Sequence, residues 1–151
     1  MPYREQIISS AKEFGIEPNY LAAIIKTESS FNSRAVSSED ARGLMQIMPE
    51  TGVWIAHQLN LELYHEEQLF DPAVNIRMGA WYIIDLEHEF SGNKIIALAA
   101  YNGGRGNVNQ WLREDKISAD LTDIDSIPFP ETRNFVNKVL KNYKIYTWLY
   151  K

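Results

Sequence analysis

Hydrophobic residues recur at helical spacing over the first part of the chain. An apolar face that ends at Gly15 predicts a first helix over about residues 3–14, and its members are Ile7, Ile8, Ala11 and Phe14. Pro18 opens a second helix, whose stripe at positions i, i+3, i+4 and i+7 is occupied by Leu21, Ile24, Ile25 and Glu28. Glu28 is therefore predicted to lie on the face that turns toward the core.

The same periodicity continues to the end of the chain. Five more helical segments are predicted, namely Pro49 to about Leu59, Pro72 up to Gly92, "KIIALAAY", "NVNQWLRE" and Pro130 to about Leu149. Asp71 is the expected N-cap of the segment that Pro72 opens. The segment "KIIALAAY" is apolar on every side, which predicts a short helix buried all round. About seven helices without a strong strand signal predict a mainly α fold, in a single domain over residues 1–151.

Composition and charge narrow the class of partner. At 151 residues, with 45% apolar and 12% aromatic residues, the chain can build one continuous core. Twenty Asp and Glu against fifteen Lys and Arg leave a net charge of −5, so we expect no general electrostatic binding of nucleic acid or anionic lipid. A neutral or modestly charged ligand fits this balance better.

Cysteine usage and the absence of long apolar runs bear on the compartment. The chain has no cysteine, which fits either a reducing cytosol or an envelope protein without crosslinks. No apolar run approaches the ~20 residues that span a bilayer, so we expect no membrane insertion by this segment. The first residues lack the apolar core of a signal peptide, so a targeting segment of an exported protein is expected to lie outside this sequence.

Glu28 is the strongest candidate for a catalytic residue. A carboxylate on a buried stripe is desolvated, and the C-terminal end of a helix disfavours negative charge, so both effects predict a raised pKa. Such a pKa suits a general acid that works near neutral pH. The alternative is that Glu28 rotates to the surface as the helix ends.

The segment after Glu28 offers uncharged groups beside this acid. Ser37 and its neighbouring serines supply hydroxyls, Gln46 an amide, and Met45 and Met48 adaptable apolar contacts. This combination suits a carbohydrate ligand. Taken singly, the serines are also ordinary turn residues and the methionines ordinary core residues.

Two further positions attract attention. Tyr101 and Asn102 stand where the buried helix meets "GGRG", and polar groups at such element ends favour sites, although a structural tyrosine is the competing interpretation. The tripeptide "PET" occurs twice, and stabilisation of the helix dipole is the default role of Glu50 and Glu131.

The sequence lacks the motifs of metal sites, phosphate-binding loops, calcium loops and catalytic triads. The three histidines are not paired at metal-ligand spacing, "GGRGNVN" is not a phosphate-binding loop, and "DLTDIDS" lacks the glycine and final glutamate of a calcium loop. Without cysteine or a GxSxG motif, nucleophilic triad chemistry has little support. We therefore expect neither a metal nor a cofactor.

Four blocks of the sequence stand out, namely "ESSFNSRAVSSEDARGLMQIMPETG", "LFDPAVNIRMGAWYI", "ALAAYNGGRGNVNQW" and "IPFPETRNFVNKVL". Together they resemble the catalytic domain of the soluble lytic transglycosylases, a lysozyme-like family that cleaves peptidoglycan. They occur in the family's order and cover nearly the whole chain. The resemblance implies a lysozyme-like, goose-type helical domain with a substrate groove.

Carried over residue by residue, the resemblance implies that Glu28 is the catalytic acid and base. It also implies that the groove is lined by Ser37, Gln46, Met48, Tyr101, Asn102 and Glu131. Three residues depart from the family pattern. Asp40 stands where Gly is frequent, Arg105 where Pro is common, and Phe135 where Tyr is usual. Because Asp tolerates a left-handed backbone, the loop at Asp40 is expected to survive, whereas Phe135 is the departure expected to touch the site.

The reaction implied by the resemblance cleaves the β-1,4 bond between N-acetylmuramic acid and N-acetylglucosamine. One glutamate protonates the leaving oxygen and then acts as base, while the 6-hydroxyl of muramic acid attacks and forms a 1,6-anhydro ring. The implied partner is the peptidoglycan strand, in the cell envelope or outside the cell, and we expect a monomer.

Two rival functions remain. A goose-type lysozyme activity would hydrolyse with water and need a second carboxylate, for which Glu39 and Asp40 are the nearby candidates. A non-catalytic glycan-binding or scaffold protein would keep the fold, although retention of Glu28 argues against it. Analysis of the reaction products separates the three.

Overall fold

A computed structural model describes residues 1–151 and contains seven α-helices and two short 3₁₀ helices. The α-helices are α1 (Arg4–Phe14), α2 (Pro18–Ser29), α3 (Pro49–Gln58), α4 (Pro72–Glu89), α5 (Lys94–Gly103), α6 (Arg105–Arg113) and α7 (Pro130–Leu149). The 3₁₀ helices are Glu66–Phe70 and Ile124–Ser126. No strand forms, and only two isolated antiparallel bridges occur, Val36 to Arg42 and Arg42 to Ile47. The mainly α fold with about seven helices is thus confirmed.

The helix boundaries follow from local chemistry. Proline is the first residue of α2, α3, α4 and α7, where its fixed φ suits the helix and its missing N–H breaks no bond. The Asp71 carboxylate accepts the N–H groups of Ala73 (2.9 Å) and Val74 (3.3 Å), which makes it the cap of α4 as expected. Gly15 ends α1 in the left-handed conformation, at φ 71°.

The chain forms two compact units. The first unit contains Met1–Trp81 and Asn142–Lys151, and the second contains Tyr82–Lys141. The chain therefore passes from one unit to the other within α4 and returns within α7. The assignment of residues 1–151 to one catalytic domain stays a prediction.

The first unit buries the apolar stripes of α1 to α3 and the start of α4. Its fully buried side chains include Ile7, Leu21, Ile24, Ile25, Leu44, Met45, Ile55, Leu69, Ile76 and Met78. The end of α7 joins this unit through Tyr143, whose ring packs edge-on against Tyr20 at 5.4 Å. Its hydroxyl also donates a hydrogen bond to the Glu17 carboxylate. Arg77 on α4 binds the Glu13 carboxylate of α1 at 2.8 Å.

The second unit is organised around α5. Residues 96–100 are almost completely buried, while Ile95 is half-buried, so the expectation of a helix apolar all round is largely confirmed. Asn93 fixes the start of α5, because its side chain accepts the N–H of Ile96 (3.0 Å) and donates to the Leu121 carbonyl (3.1 Å). No helix in the chain combines the length and the apolar character needed to cross a membrane.

Candidate active site

Glu28 lies in the last turn of α2, between two residues whose side chains are anchored. Leu21, Ile24 and Ile25 on the same stripe are fully buried, and Glu28 itself is half-buried. The Thr27 hydroxyl donates to the Ala23 carbonyl (2.8 Å) and accepts from the Asn142 amide (3.0 Å). The backbone that carries Glu28 is therefore held against α7, and the residue as a whole is partly shielded from solvent.

Ser29 connects the end of α2 to the "GLMQ" loop. Its hydroxyl lies 2.8 Å from the Leu44 carbonyl and 3.1 Å from the Ile25 carbonyl. A bond to Leu44 crosses fifteen residues of sequence and joins the neighbour of Glu28 to the predicted ligand-binding loop. The helix then ends at Ser30, which adopts a left-handed conformation (φ 50°) and donates its N–H to the Lys26 carbonyl.

A buried asparagine on α4 holds this loop. Asn75 is fully buried, and its side-chain oxygen accepts the N–H of Met45 at 2.8 Å. Its amide nitrogen donates to the carbonyls of Arg42 (3.0 Å) and Leu69 (2.8 Å). Both the donors and the acceptor of the amide are thus satisfied, and three backbone groups, two in this loop and one in the 3₁₀ helix Glu66–Phe70, depend on it.

Gly43 allows this close packing. It has a φ of 78°, and a Cβ built on it would lie 2.2 Å from the Leu69 carbonyl oxygen and 2.4 Å from the Asn75 amide nitrogen. Only glycine fits such a contact in a left-handed conformation. The glycine of "GLMQ" is therefore required by the packing between the loop and Asn75.

Gln46 and Met48 follow this anchored segment. Gln46 also has a left-handed backbone (φ 51°), and its amide nitrogen donates to the carbonyls of Ala35 (3.2 Å) and Gly43 (3.0 Å). The side-chain oxygen of Gln46 is left to accept a bond from a ligand. Met48 is the half-buried N-cap residue of α3.

Ser37 lies in an exposed turn. Its hydroxyl oxygen accepts the N–H groups of Glu39 (3.2 Å) and Ala41 (3.0 Å), so the turn role is present, and the O–H remains able to donate. Asp40 in this turn has a φ of 72°, which confirms the expected left-handed conformation at this departure from the family pattern.

Arg42 ties the turn to an acidic segment. Its guanidinium binds the Asp40 carboxylate through two bonds of 3.1 and 3.2 Å and lies within 4 Å of the carboxylates of Glu66 and Glu67. The hydrogen bonds that Arg42 donates to Asp40, helped by the charges of the three carboxylates, outweigh desolvation and raise the pKa of Arg42 above its ordinary value. Asp40 is therefore engaged in an ion pair.

In the second unit, Asn102 is oriented by a buried threonine. The Thr132 hydroxyl, which is 1% exposed, donates to the side-chain oxygen of Asn102 at 2.8 Å. This bond fixes the amide so that its N–H₂ group points away from Thr132 and can donate elsewhere. Gly103 makes room, since a Cβ there would lie 3.0 Å from the Thr132 hydroxyl.

Tyr101 belongs to an aromatic cluster. Its ring is stacked on Phe135, with centroids 6.3 Å apart and planes 5° apart, and lies 5.3 Å from the Tyr82 ring. Phe135 is only 5% exposed, so this departure from the family pattern contacts a predicted site residue from a buried position. Burial raises the pKa of Tyr82.

Arg105, the third departure, forms ion pairs with two acids on α4. Its guanidinium binds the carboxylates of Asp85 (3.2 Å) and Glu89 (2.6 Å) and lies 5.8 Å from the centre of the Tyr82 ring. Burial of the guanidinium opposes its charge, but the bond to Asp85 and the charge of Glu89 raise the pKa of Arg105 overall. Glu131 is exposed in the first turn of α7, where it also fits the dipole role.

Several of these contributors were not among the predicted site residues. Asn75 and Thr132 act through hydrogen bonds to loop or site groups, and Tyr82 through ring contacts. The sequence does contain a signal for Asn75. This amide stands next to Ile76 and one turn before Met78 and Gly79, on an apolar helix face, and a polar group buried there needs hydrogen-bond partners.

Two clefts lie apart from the predicted residues. One of about 430 Å³ is lined by residues 115–126 and includes Asp115, Asp120 and Asp123. The other, of about 400 Å³, lies between α3 and the following loop and is lined by residues 53–66, including His57 and Tyr64. The structure brings no three His, Asp or Glu side chains together in a metal-binding group.

Comparison with known proteins gives a consistent result. The family model described as "Transglycosylase SLT domain" matches residues 5–124. The chain is 39% identical over 134 residues to the soluble lytic murein transglycosylase of Escherichia coli K12, covering 87% of this chain and 20% of that protein. It is 34% identical over 126 residues to the membrane-bound lytic murein transglycosylase C of Yersinia enterocolitica, covering 78% of this chain and 35% of that protein.

Solved structures agree with these sequence matches. An inactive mutant of the lytic transglycosylase Slt of Pseudomonas aeruginosa, with one glutamate replaced by glutamine, is 38% identical at a TM-score of 0.86. The match covers 98% of this chain and 24% of the Pseudomonas aeruginosa chain. The 70 kDa soluble lytic transglycosylase of Escherichia coli is 34% identical at a TM-score of 0.87, covering 97% of this chain and 24% of that one. The chain thus spans about a fifth to a quarter of the length of these soluble relatives.

Proposed function

Because this chain belongs to the transglycosylase SLT domain family, we propose that it is a peptidoglycan lytic transglycosylase with Glu28 as its catalytic acid and base. The bond cleaved is the β-1,4 bond between N-acetylmuramic acid and N-acetylglucosamine, and the product carries a 1,6-anhydromuramic acid end. The observation that best supports this proposal is the position of the half-buried Glu28 beside Ser29, whose hydroxyl is hydrogen-bonded to the "GLMQ" loop.

In the first step Glu28 is a carboxylic acid that gives its proton to the glycosidic oxygen. The sugar beyond the cleaved bond leaves with a free 4-hydroxyl, while the 2-acetamido oxygen of the muramic acid assists at the anomeric carbon. Partial burial and the C-terminal end of α2 both favour the uncharged acid before this step. The fixed backbone on either side of Glu28 limits the positions of its carboxyl group.

In the second step the Glu28 carboxylate takes the proton of the muramic acid 6-hydroxyl. The oxygen of that hydroxyl then bonds to the anomeric carbon, displaces the acetamido oxygen and closes the anhydro ring. Glu28 is then protonated again, as it was before the first step, and no water has been consumed. The inactive glutamate-to-glutamine mutant of the Pseudomonas aeruginosa relative supports an essential glutamate in this family.

The proposed binding residues offer groups that match an amino sugar. In the first unit the Ser37 hydroxyl is a donor and the Gln46 side-chain oxygen is an acceptor, and in the second unit the Asn102 amide is a donor. An acetamido group presents one N–H and one carbonyl, so it needs one partner of each kind. We assign apolar contacts to Met48 and Tyr101, and a polar contact with the glycan strand to Glu131.

One observation weighs against hydrolysis by the lysozyme route. Asp40, one of the two candidates for a second carboxylate, is held by Arg42 in a two-bond ion pair, so its oxygens are engaged within the loop. We therefore place the 6-hydroxyl, rather than water, as the attacking group. The soluble and membrane-bound murein enzymes among the relatives support an envelope location, and we propose that the chain acts as a monomer.

Product analysis tests the proposed reaction. Purified sacculi are digested with the protein, and the soluble fragments are divided between borohydride reduction and a mock treatment before mass spectrometry. Anhydro-ended fragments have no reducing end, so their masses are expected to be unchanged by borohydride. Fragments that gain two hydrogens would indicate hydrolysis, and an absence of fragments would indicate a binding protein.

A further inference from the structure

The end of α7 presents an apolar surface that nothing in the chain covers. We call it the C-terminal patch and define it as Lys144, Ile145, Trp148 and Leu149. These residues follow one another at i, i+1, i+4 and i+5, and therefore share one face of the helix. Ile145 is 42% exposed, Trp148 69% and Leu149 53%, and Lys144 is also exposed.

The opposite face of the same helix is already used. Tyr143 packs against the ring of Tyr20 and donates its hydroxyl to Glu17. Tyr146 is half-buried, and its ring lies 5.9 Å from that of Tyr150. Because these tyrosines fix the rotation of the helix about its axis, the C-terminal patch faces outward.

The charge of this part of the chain differs in sign from the rest. All twenty Asp and Glu residues lie at or before Glu131, whereas five of the fifteen Lys and Arg residues follow it. The last twenty residues therefore carry a net charge of +5, although the whole chain carries −5. Lys144 lies within the C-terminal patch and Lys151 follows it. The net charge of the chain conceals this separation.

We propose that the C-terminal patch docks onto the surface of an anionic lipid bilayer. Tryptophan and other apolar side chains flanked by lysine are the composition of helices that lie in the headgroup region. The lysines of this helix are attracted to anionic headgroups, and this attraction adds to the burial of the apolar side chains of the C-terminal patch. Association of two copies through the patch would instead bring lysines of like charge together.

Sedimentation with vesicles tests this surface. The intact chain is mixed with sucrose-loaded vesicles of phosphatidylcholine alone, or of phosphatidylcholine and phosphatidylglycerol in equal amounts, at low and at high salt. Binding is expected only to the vesicles with phosphatidylglycerol and is expected to weaken with salt. Lys144→Gln is expected to lower the partition coefficient about fivefold. Trp148→Ser is expected to lower it about tenfold or more.

Leu63→Ser is the matched control. Leu63 is 90% exposed and lies outside the C-terminal patch, in the loop after α3, so its replacement removes exposed apolar surface of similar kind. Its partition coefficient is expected to equal that of the unsubstituted chain. Circular dichroism melting of each variant checks that the fold is retained, as expected for exposed positions.

Three results would overturn the proposal. They are equal binding to both kinds of vesicle, no binding to either, and binding that Trp148→Ser and Lys144→Gln leave unchanged. Light scattering adds a fourth test, since it measures the oligomeric state. A dimer that Trp148→Ser converts to a monomer would show that the C-terminal patch is a protein interface and would also overturn the proposal. The vesicles contain no peptidoglycan, so this test is independent of the proposed catalytic function.

Discussion

Replacement of Asn75 by alanine tests whether one buried amide holds the "GLMQ" loop. The change leaves the Met45 N–H and the carbonyls of Arg42 and Leu69 without their partner. At about 1 kcal/mol for each hydrogen bond, the loss in the free energy of unfolding is about 3 kcal/mol. For a chain of this length that corresponds to a fall in Tm of roughly 6–12 °C.

Asn137→Ala is the control for this experiment. Asn137 is exposed on α7, so its replacement changes helix propensity in the same way without removing a buried bond. Thermal melts followed by circular dichroism give the stabilities, and release of soluble muropeptides from sacculi reports the loop. Asn75→Ala is expected to lower both quantities, because Gln46 and Met48 follow directly on the released segment. A Tm within about 2 °C of the Asn137→Ala value would refute the reasoning.

Three shorter predictions concern other contacts. Gly43→Ala is expected to cost about 2–5 kcal/mol of stability, because its Cβ would meet the Leu69 carbonyl and its φ is positive; an unchanged urea midpoint would contradict this. Phe135→Tyr is expected to lower stability by about 1–3 kcal/mol, since a hydroxyl is added to a ring only 5% exposed; an equal Tm would show that the hydroxyl reaches a partner. The bond to Arg77 lowers the pKa of Glu13, so this pair stabilises the protein above the ordinary value of 4.5 and the effect is lost as pH falls. Both side chains are more than a third exposed, and Glu13→Gln should therefore cost less than about 1 kcal/mol at pH 7, with the difference from the unsubstituted chain vanishing in acid.

The helices were predictable from sequence because their signals are local. Proline at the first position and glycine or asparagine near the ends set most boundaries, and the stripe that contains Leu21 and Ile25 faces the core as expected. The two 3₁₀ helices, Glu66–Phe70 and Ile124–Ser126, were not predicted. They span five and three residues, too few for an apolar period to be visible.

The site was predictable only in part. Glu28 follows from its place on an apolar stripe, and the left-handed backbone at Asp40 follows from the residue type. The bonds that Asn75 makes to Arg42 and Met45 join segments about thirty residues apart, and the positive φ of Gln46 depends on the packing of its loop. Such contacts have no periodic signature, so a sequence pattern does not contain them.

The most direct test of the central claim is the rate at which Glu28→Gln releases anhydro-ended muropeptides from purified sacculi. The amide keeps the shape of the side chain but neither donates the proton to the leaving oxygen nor takes it from the 6-hydroxyl. With the fold confirmed by an unchanged melt, we expect the rate to fall at least ~10²-fold relative to the unsubstituted chain. A rate within a few-fold of the unsubstituted chain would contradict the assignment of Glu28 as the acid and base.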